Sequence, residues 1–437
     1  MGSPITKSQN NITYYFEMSI LNKTPKQIET HIQDNLTIRD KEKDRFGEVF
    51  TSPELIDEIF NNIPLSVWKN PNTKWLDPAA GNGNFGAMIY KKLLTTLSSK
   101  IPSLEKRKTH ILDNMLFMIE LNKNNSDKLK TLFGSNANIS TSNFLTQQEK
   151  WKRDLKTDTF DVIVGNPPFQ TPKKGKYSGS VGNRTLWDKF LDTIFHETLL
   201  SKNGYLGIIT PANWRRPEHH LYKTLTRDNT LKYLRVYNKK SGLEKLGAQT
   251  RFDLYIVQEG EPKNGENTEI IDEMKKSHKL DVQKWPFLPN YSFDKIKKIM
   301  VPKKRGIKVI FDAGKYDARH LSKTKTKKNR HPIVHNITLR GLGLRYAKNK
   351  DKKHFKVPKV LLNFNERQYP HNDFEGKYGM SQLTFGIPIK SKTHGEKVIK
   401  AVNSDAFKEI LEATKWSSFQ TDYRMFAYFD PDFYKTI

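Results

Sequence analysis

Leu76-Asp-Pro-Ala-Ala-Gly-Asn-Gly-Asn-Phe85 passes from a short apolar strand, through a small glycine-rich turn, into a helix that opens near Asn84. Gly81 and Gly83 carry no Cβ, so the backbone there can approach a ligand closely. Asp77, at the strand end, is placed to accept from an ammonium group. Such a turn serves nucleotide-like ligands, although a tight turn without a ligand shares the pattern. No Gly-Lys-Ser/Thr follows, so this is not a P-loop.

Strands and helices alternate on either side of this turn. Upstream, Thr24-Pro25 and Ser52-Pro53-Glu54 read as helix starts, with a capping hydroxyl before proline at the first helical position. Downstream, Met115–Glu120, Phe160–Gly165, Tyr205–Thr210, Leu231–Tyr237 and Phe252–Gln258 are continuous apolar runs of buried-strand type. Parallel strands with intervening helices predict an open α/β sheet. The pattern breaks at Glu259–Asn267, a polar stretch with glycine and proline that reads as a linker or long turn. Beyond it the chain is more basic and less regular, with clusters at 303–305, 323–330 and 348–353. Residues 1–265 are therefore expected to form a catalytic domain with an N-terminal helical extension, and 266–437 a second domain.

Two further positions carry chemistry. Glu120 closes its apolar strand, where an acidic residue can hold two ribose hydroxyls, as in dinucleotide folds. A solvated strand terminus would look the same. Asn166-Pro-Pro-Phe169 directly follows the strand ending at Gly165. An adenine amine is a poor nucleophile because its lone pair is delocalised into the ring. Acceptors on both of its N–H bonds draw the nitrogen toward tetrahedral geometry. The Asn166 side-chain oxygen and the Pro167 carbonyl are suited to that task. Pro167 and Pro168 stiffen the loop and remove donors. Phe169 can stack on an unpaired base.

Composition bounds the partners. Lys and Arg number 75 against 47 Asp and Glu, a formal net charge of +28. That excess points to a polyanion, most commonly nucleic acid. There are no cysteines, which excludes disulfides, thiolate metal sites and cysteine nucleophiles. No apolar run reaches spanning length, and the first residues lack a secretory h-region. A cytoplasmic protein of bacterial, phage or other viral origin, with no membrane partner and no metal, is the expectation.

The order of these elements resembles the γ-class N6-adenine DNA methyltransferases of restriction–modification systems, over about residues 45–260. Gly47-Glu-Val-Phe-Thr-Ser-Pro-Glu54 looks like the motif that precedes the glycine-rich turn in that class. The resemblance implies a Rossmann-like S-adenosylmethionine-dependent methyltransferase fold with a second, basic α+β target-recognition domain. It implies S-adenosylmethionine as cofactor, with Phe50 and Thr51 at its methionine end. Asp77, Ala79, Gly81 and Gly83 would form the cradle, Glu120 would hold the ribose, and Asn166 would border the cofactor. Ser142-Asn-Phe-Leu145 stands where the family has Asp-Phe. Asn143 departs from the acid but retains an acceptor oxygen for the cofactor adenine, which Phe144 would flank.

The implied reaction is methylation of an adenine flipped out of double-stranded DNA, with a cognate restriction endonuclease as a further partner. Gly204–Trp214 resembles the late strand and the loop that faces the target. Gly247–Val257 resembles the segment lining the base pocket, but Leu246-Gly247 offers no aromatic second wall. The basic stretch between Phe169 and Thr185 reads as a loop that orders on DNA phosphates. Other readings are an RNA adenine or protein glutamine methyltransferase, a non-catalytic DNA-binding protein of the same fold, and a bifunctional restriction–methylation enzyme using Asp373-Phe-Glu-Gly-Lys377.

Overall fold

The computed structural model describes residues 19–24, 26–28, 30, 51–171, 185–312, 314–364, 368–416 and 421–437. It divides into two compact units. One comprises Met1–Pro211 with Lys223–Val282, the other Ala212–Tyr222 with Gln283–Ile437.

The first unit is built on β1 (Trp75–Asp77), β2 (Leu116–Glu120), β3 (Asn138–Thr141), β4 (Phe160–Gly165), β5 (Leu200–Pro211), β6 (Thr230–Tyr237), β7 (Phe252–Gln258), β8 (Thr268–Ile271) and β9 (Ser277–Leu280). They form one sheet in the order β3-β2-β1-β4-β5-β7-β6-β8-β9. β1 pairs parallel with both β2 and β4. The strand order reverses there, and the crevice beyond the carboxyl ends of such strands is where open α/β sheets bind ligands.

Helices cover the sheet: α1 (Pro53–Asn61), α2 (Asn84–Thr96), α3 (Lys123–Phe133), α4 (Gln148–Leu155), α5 (Trp187–His196) and α6 (Lys239–Leu246). In α1, Leu55, Ile56, Ile59 and Phe60 share the buried stripe that a 3.6-residue period allows. Thr24 and Gln27 form a reciprocal capping box: the Thr24 N–H donates to Gln27 Oε1 at 2.8 Å, and the Gln27 N–H to Thr24 Oγ1 at 3.4 Å.

The open α/β sheet read from the alternating strands and helices is present, and within it β7 runs antiparallel to both β5 and β6. A parallel neighbour needs a crossover back to the opposite edge. Instead α6 and the left-handed turn at Gly247 (φ +66°) return the chain beside the end of β6, and Tyr237 pairs with Phe252. The domain division also differs from residue 265. Glu259–Asn267 only joins β7 to β8, which pairs parallel with β6 and extends the first sheet. The first unit therefore runs to Val282, while residues 212–222 leave it for the second.

The second unit holds two three-stranded sheets. One contains β10 (His331–Thr338), β11 (Gly341–Ala347) and β14 (Gly379–Met380); the other contains β12 (Lys359–Asn363), β13 (His371–Asp373) and β15 (Thr384–Pro388). With α7 (Phe293–Ile299), α8 (Lys392–Asn403) and α9 (Asp405–Ala413) it is an α+β unit. Phe385, Phe407, Phe426, Phe429 and Phe433 are buried in its core. Tyr316 and Trp416, interleaved in sequence with the basic runs, are buried too.

Candidate active site

A cavity of about 200 Å³ opens at the carboxyl ends of β1 to β4. Each strand end contributes to its wall: Ala79 to Asn82 after β1, Glu120 to Asn122 after β2, Ser142 to Leu145 after β3, and Asn166 with Pro168 after β4.

The glycine-rich turn owes its shape to two carboxylates. Asp77 Oδ1 accepts from the Ala79 N–H at 3.1 Å. Glu120 Oε2 accepts from the Gly81 N–H at 2.8 Å, and its Oε1 from the Asn122 N–H at 2.7 Å. Gly81 sits at φ +54°, and a Cβ there would meet only the Ala79 carbonyl oxygen at 4.0 Å. Its backbone thus faces open cavity.

Gly83 differs. At φ +92° it caps α2, and a Cβ would lie 2.7 Å from Leu129 and 3.3 Å from Phe133. It serves helix packing and lies outside the cavity wall. Asp77 is also outside the wall and fully buried, with Oδ2 receiving no hydrogen bond from a described residue. Burial pushes its carboxyl up to about 7; the Ala79 N–H opposes this and the Glu120 charge adds to it.

Thr51 ties two elements together. Its carbonyl accepts from Asn84 Nδ2 at 3.2 Å, and its hydroxyl from Asn166 Nδ2 at 3.1 Å. That bond orients the Asn166 amide. Asn166 Oδ1 is left buried, with no donor among the described residues. Such an acceptor costs free energy until a ligand N–H reaches it. Asn82 Oδ1 and Asn84 Oδ1, on cavity-lining residues, are in the same condition.

Phe144 forms a flat wall. Its ring stacks on Phe190 at 5.1 Å and on Trp151 at 5.7 Å, with interplanar angles of 19° and 20°. The neighbouring Asn143 lines the cavity, but its side-chain oxygen accepts from the Leu145 N–H at 2.9 Å and the Thr146 N–H at 3.2 Å. Both lone pairs are engaged by the loop, so the acceptor expected for the cofactor adenine is committed to local structure.

Of the expected site residues, Thr51, Ala79, Gly81, Glu120, Asn143, Phe144, Asn166 and Pro168 converge on the cavity. Pro167 is buried outside its wall, and Phe169 is half-buried against the core of the first unit. Phe50 and the rest of the Gly47–Phe50 stretch lie outside the described residues, as do residues 172–184 of the basic loop. Leu246 is buried in the core. Sequence reading missed Asn82, Asn84, Leu121 and Phe190. The asparagines stand inside the quoted turn, whereas Phe190 comes from α5 with no local signal.

Asp373, the acidic element of the nuclease-like reading, is taken up by the fold. It is buried against Lys359 Nζ at 2.7 Å and accepts from the Lys377 N–H at 2.7 Å and the Tyr378 N–H at 3.1 Å. Among the described residues no group of three or more acidic or histidine side chains is arranged to hold a metal ion. No described helix is long and apolar enough to cross a membrane.

The sheet order, the glycine-rich turn after β1 and the acidic end of β2 define a Rossmann-like fold of the S-adenosylmethionine-dependent methyltransferase kind. Residues 82–241 match the family model described as Eco57I restriction-modification methylase. An uncharacterized adenine-specific methylase of Mycoplasma pneumoniae is 28% identical over 252 residues, covering 41% of this chain and 57% of that protein. The chain thus spans little more than half the length of that curated relative. Both matches bear out the resemblance read from the motif order. Among solved structures, one of a DrdV–DNA complex is similar over 94% of this chain and 58% of that one, at 11% identity and a TM-score of 0.50. The type IIL restriction-modification enzyme MmeI, in complex with DNA, is similar over 87% and 67%, at 13% identity and a TM-score of 0.48.

Proposed function

We propose that this chain transfers a methyl group from S-adenosylmethionine to the exocyclic N6 amine of an adenine in double-stranded DNA. The observation that carries this reading is the buried, unsatisfied Asn166 Oδ1 at the mouth of β4, in a cavity built from the ends of β1 to β4. The name of the Mycoplasma relative, an adenine-specific methylase, supports the choice of base.

The residues present fit the cofactor. Gly81 leaves room beside the turn, Glu120 stands at the end of β2 for ribose hydroxyls, and Phe144, held by its stacking on Trp151 and Phe190, borders the cavity where the cofactor's base would lie. Asn82 and Asn84 hold unsatisfied acceptors for an ammonium group. Thr51 borders the methionine end. When bound, the cofactor supplies an already activated methyl sulfonium.

The protein's part is orientation and electrostatics. Asn166 Oδ1 and the Pro167 carbonyl accept from the two amine N–H bonds and bring the nitrogen's lone pair to bear. The rigid Pro167-Pro168 pair holds that arrangement, so no reorganisation is needed during reaction. Phe169 stacks on the flipped adenine. The excess of Lys and Arg binds phosphate backbone.

The test is transfer of labelled methyl to mixed-sequence duplex DNA, with RNA and a protein extract in parallel, for wild type and Asn166→Ala. N6-methyladenine formed in DNA by the wild type and lost in the variant is expected. Label appearing only in RNA or protein overturns the substrate.

A further inference from the structure

The second unit contains a cavity of about 120 Å³ whose wall includes Arg216, Phe364, Thr421, Asp422, Tyr423 and Arg424. Two guanidinium groups face one carboxylate. That carboxylate is already engaged: Arg424 Nε donates to Asp422 Oδ1 at 2.8 Å, Arg424 Nη2 donates to Oδ2, and the Arg424 N–H donates to Oδ1 at 3.1 Å. Arg216 makes no ion pair with a described residue, and its Nε is buried without an acceptor. Thr421 Oγ1, on the same wall, is likewise buried without a partner among the described residues. Burial, and then the Arg424 charge, push the Arg216 guanidinium below its usual range, with Asp422 opposing. Nearby His219 is pushed down to about 3 by burial and by the charges of Arg216, His220 and Arg424. The described wall thus carries two guanidinium groups and one carboxylate, and Arg424 already engages that carboxylate.

We infer that this pocket binds one phosphodiester group of DNA, between the Arg216 fork and the Thr421 hydroxyl. The inference rests on the reading that DNA is the substrate. Size argues for a phosphoryl group, because this cavity, at about 120 Å³, is little more than half the volume of the one proposed to hold the cofactor, at about 200 Å³. Chemistry argues the same way: a guanidinium presents paired donors that match phosphate oxygens. The rings do not invite a base. Phe364 and Tyr423 pack on Phe311, with centroids 5.0 and 4.4 Å away. The net charge of +28 favours a polyanion over a free anion.

The test measures binding of the full chain to labelled duplex DNA across a salt series, for wild type, Arg216→Gln, Arg216→Lys and Thr421→Val. Losing one phosphate contact lowers the slope of log affinity against log salt by about one, equally for unrelated sequences. Arg216→Gln should show that change, with about tenfold weaker binding near 0.1 M salt. Arg216→Lys should keep the slope and lose part of the affinity, and Thr421→Val should weaken binding a few-fold at unchanged slope. Inorganic phosphate at constant ionic strength should compete with the duplex. Melting temperatures check that each variant folds. Unchanged DNA affinity and slope in a folded Arg216→Gln overturn the inference, and phosphate binding lost without loss of DNA affinity overturns it in favour of a free-anion site. Wild type that binds no DNA overturns the inference and the proposed function together. Methyl transfer to DNA with an unaffected Arg216→Gln overturns the pocket alone.

Discussion

The Asn166 side-chain nitrogen donates to the Thr51 hydroxyl at 3.1 Å. An amide has two ends, and this bond decides which one the cavity receives. With Nδ2 engaged by Thr51, the oxygen is presented as an acceptor, which is what a reacting amine requires. Thr51→Val keeps the shape and removes the acceptor. A lost neutral hydrogen bond is worth about 1 kcal/mol, so single-turnover methyl transfer should slow by roughly five- to tenfold. Thr51→Ser should restore most of the rate. Equal rates for wild type and Thr51→Val would mean the amide is oriented by other contacts.

The two glycines of the turn should separate in experiment. Gly81 faces open space and Gly83 faces Leu129 and Phe133. Both hold positive φ, which costs a side chain about 1–2 kcal/mol. Gly83→Ala adds a clash with packed core and should lower the melting temperature more. Gly81→Ala should lower it less while weakening S-adenosylmethionine binding more, as read by calorimetry. If Gly83→Ala is the variant that spares stability and loses the cofactor, the assignment of the two positions is reversed.

Much of this site was legible in the chain because its signals are local. Leu76–Phe85 placed a turn between strand and helix, and β1, α2 and Gly81 follow it. Asn166 reached the cavity for the same reason: it directly follows a six-residue apolar strand. What stayed hidden was set by distant partners. β3, Asn-Ile-Ser-Thr, is short and polar, and its strand character comes from pairing with β2. The reversal of β7 depends on where α6 returns the chain. Asn143 looked like a ligand acceptor, but its oxygen was claimed by the next two backbone N–H groups. Gly83 looked like Gly81 until Leu129, forty-six residues on, packed against it.

Lys359 and Asp373 form a buried pair in the second unit, with Lys359 Nζ also donating to the His354 carbonyl at 2.8 Å. Burial pulls the Lys359 ammonium below its usual range, while Asp373 holds it up. Removing one partner strands a buried charge, at a cost of roughly 3–5 kcal/mol. Lys359→Met should therefore destabilise the chain strongly in denaturant unfolding, and Lys359→Met with Asp373→Leu should recover much of the loss. A single variant as stable as wild type would show the pair to be solvated in solution.

Asp77 makes the stability of the ligand-free protein depend on pH. Its carboxyl is raised from 3.8 to about 7, chiefly by burial. Between those values the folded protein keeps a proton that the unfolded chain has lost. Stability from this group is full below about pH 4, falls as pH rises toward 7, and levels off above, with a slope of at most about 1.4 kcal/mol per unit. Asp77→Asn cannot titrate, yet its oxygen can still accept from the Ala79 N–H. Its melting temperature, compared with wild type without cofactor, should differ little at pH 4 and gain progressively up to about pH 7. Parallel curves across that window would mean Asp77 is already ionised in the folded state, with its orphaned oxygen satisfied by solvent.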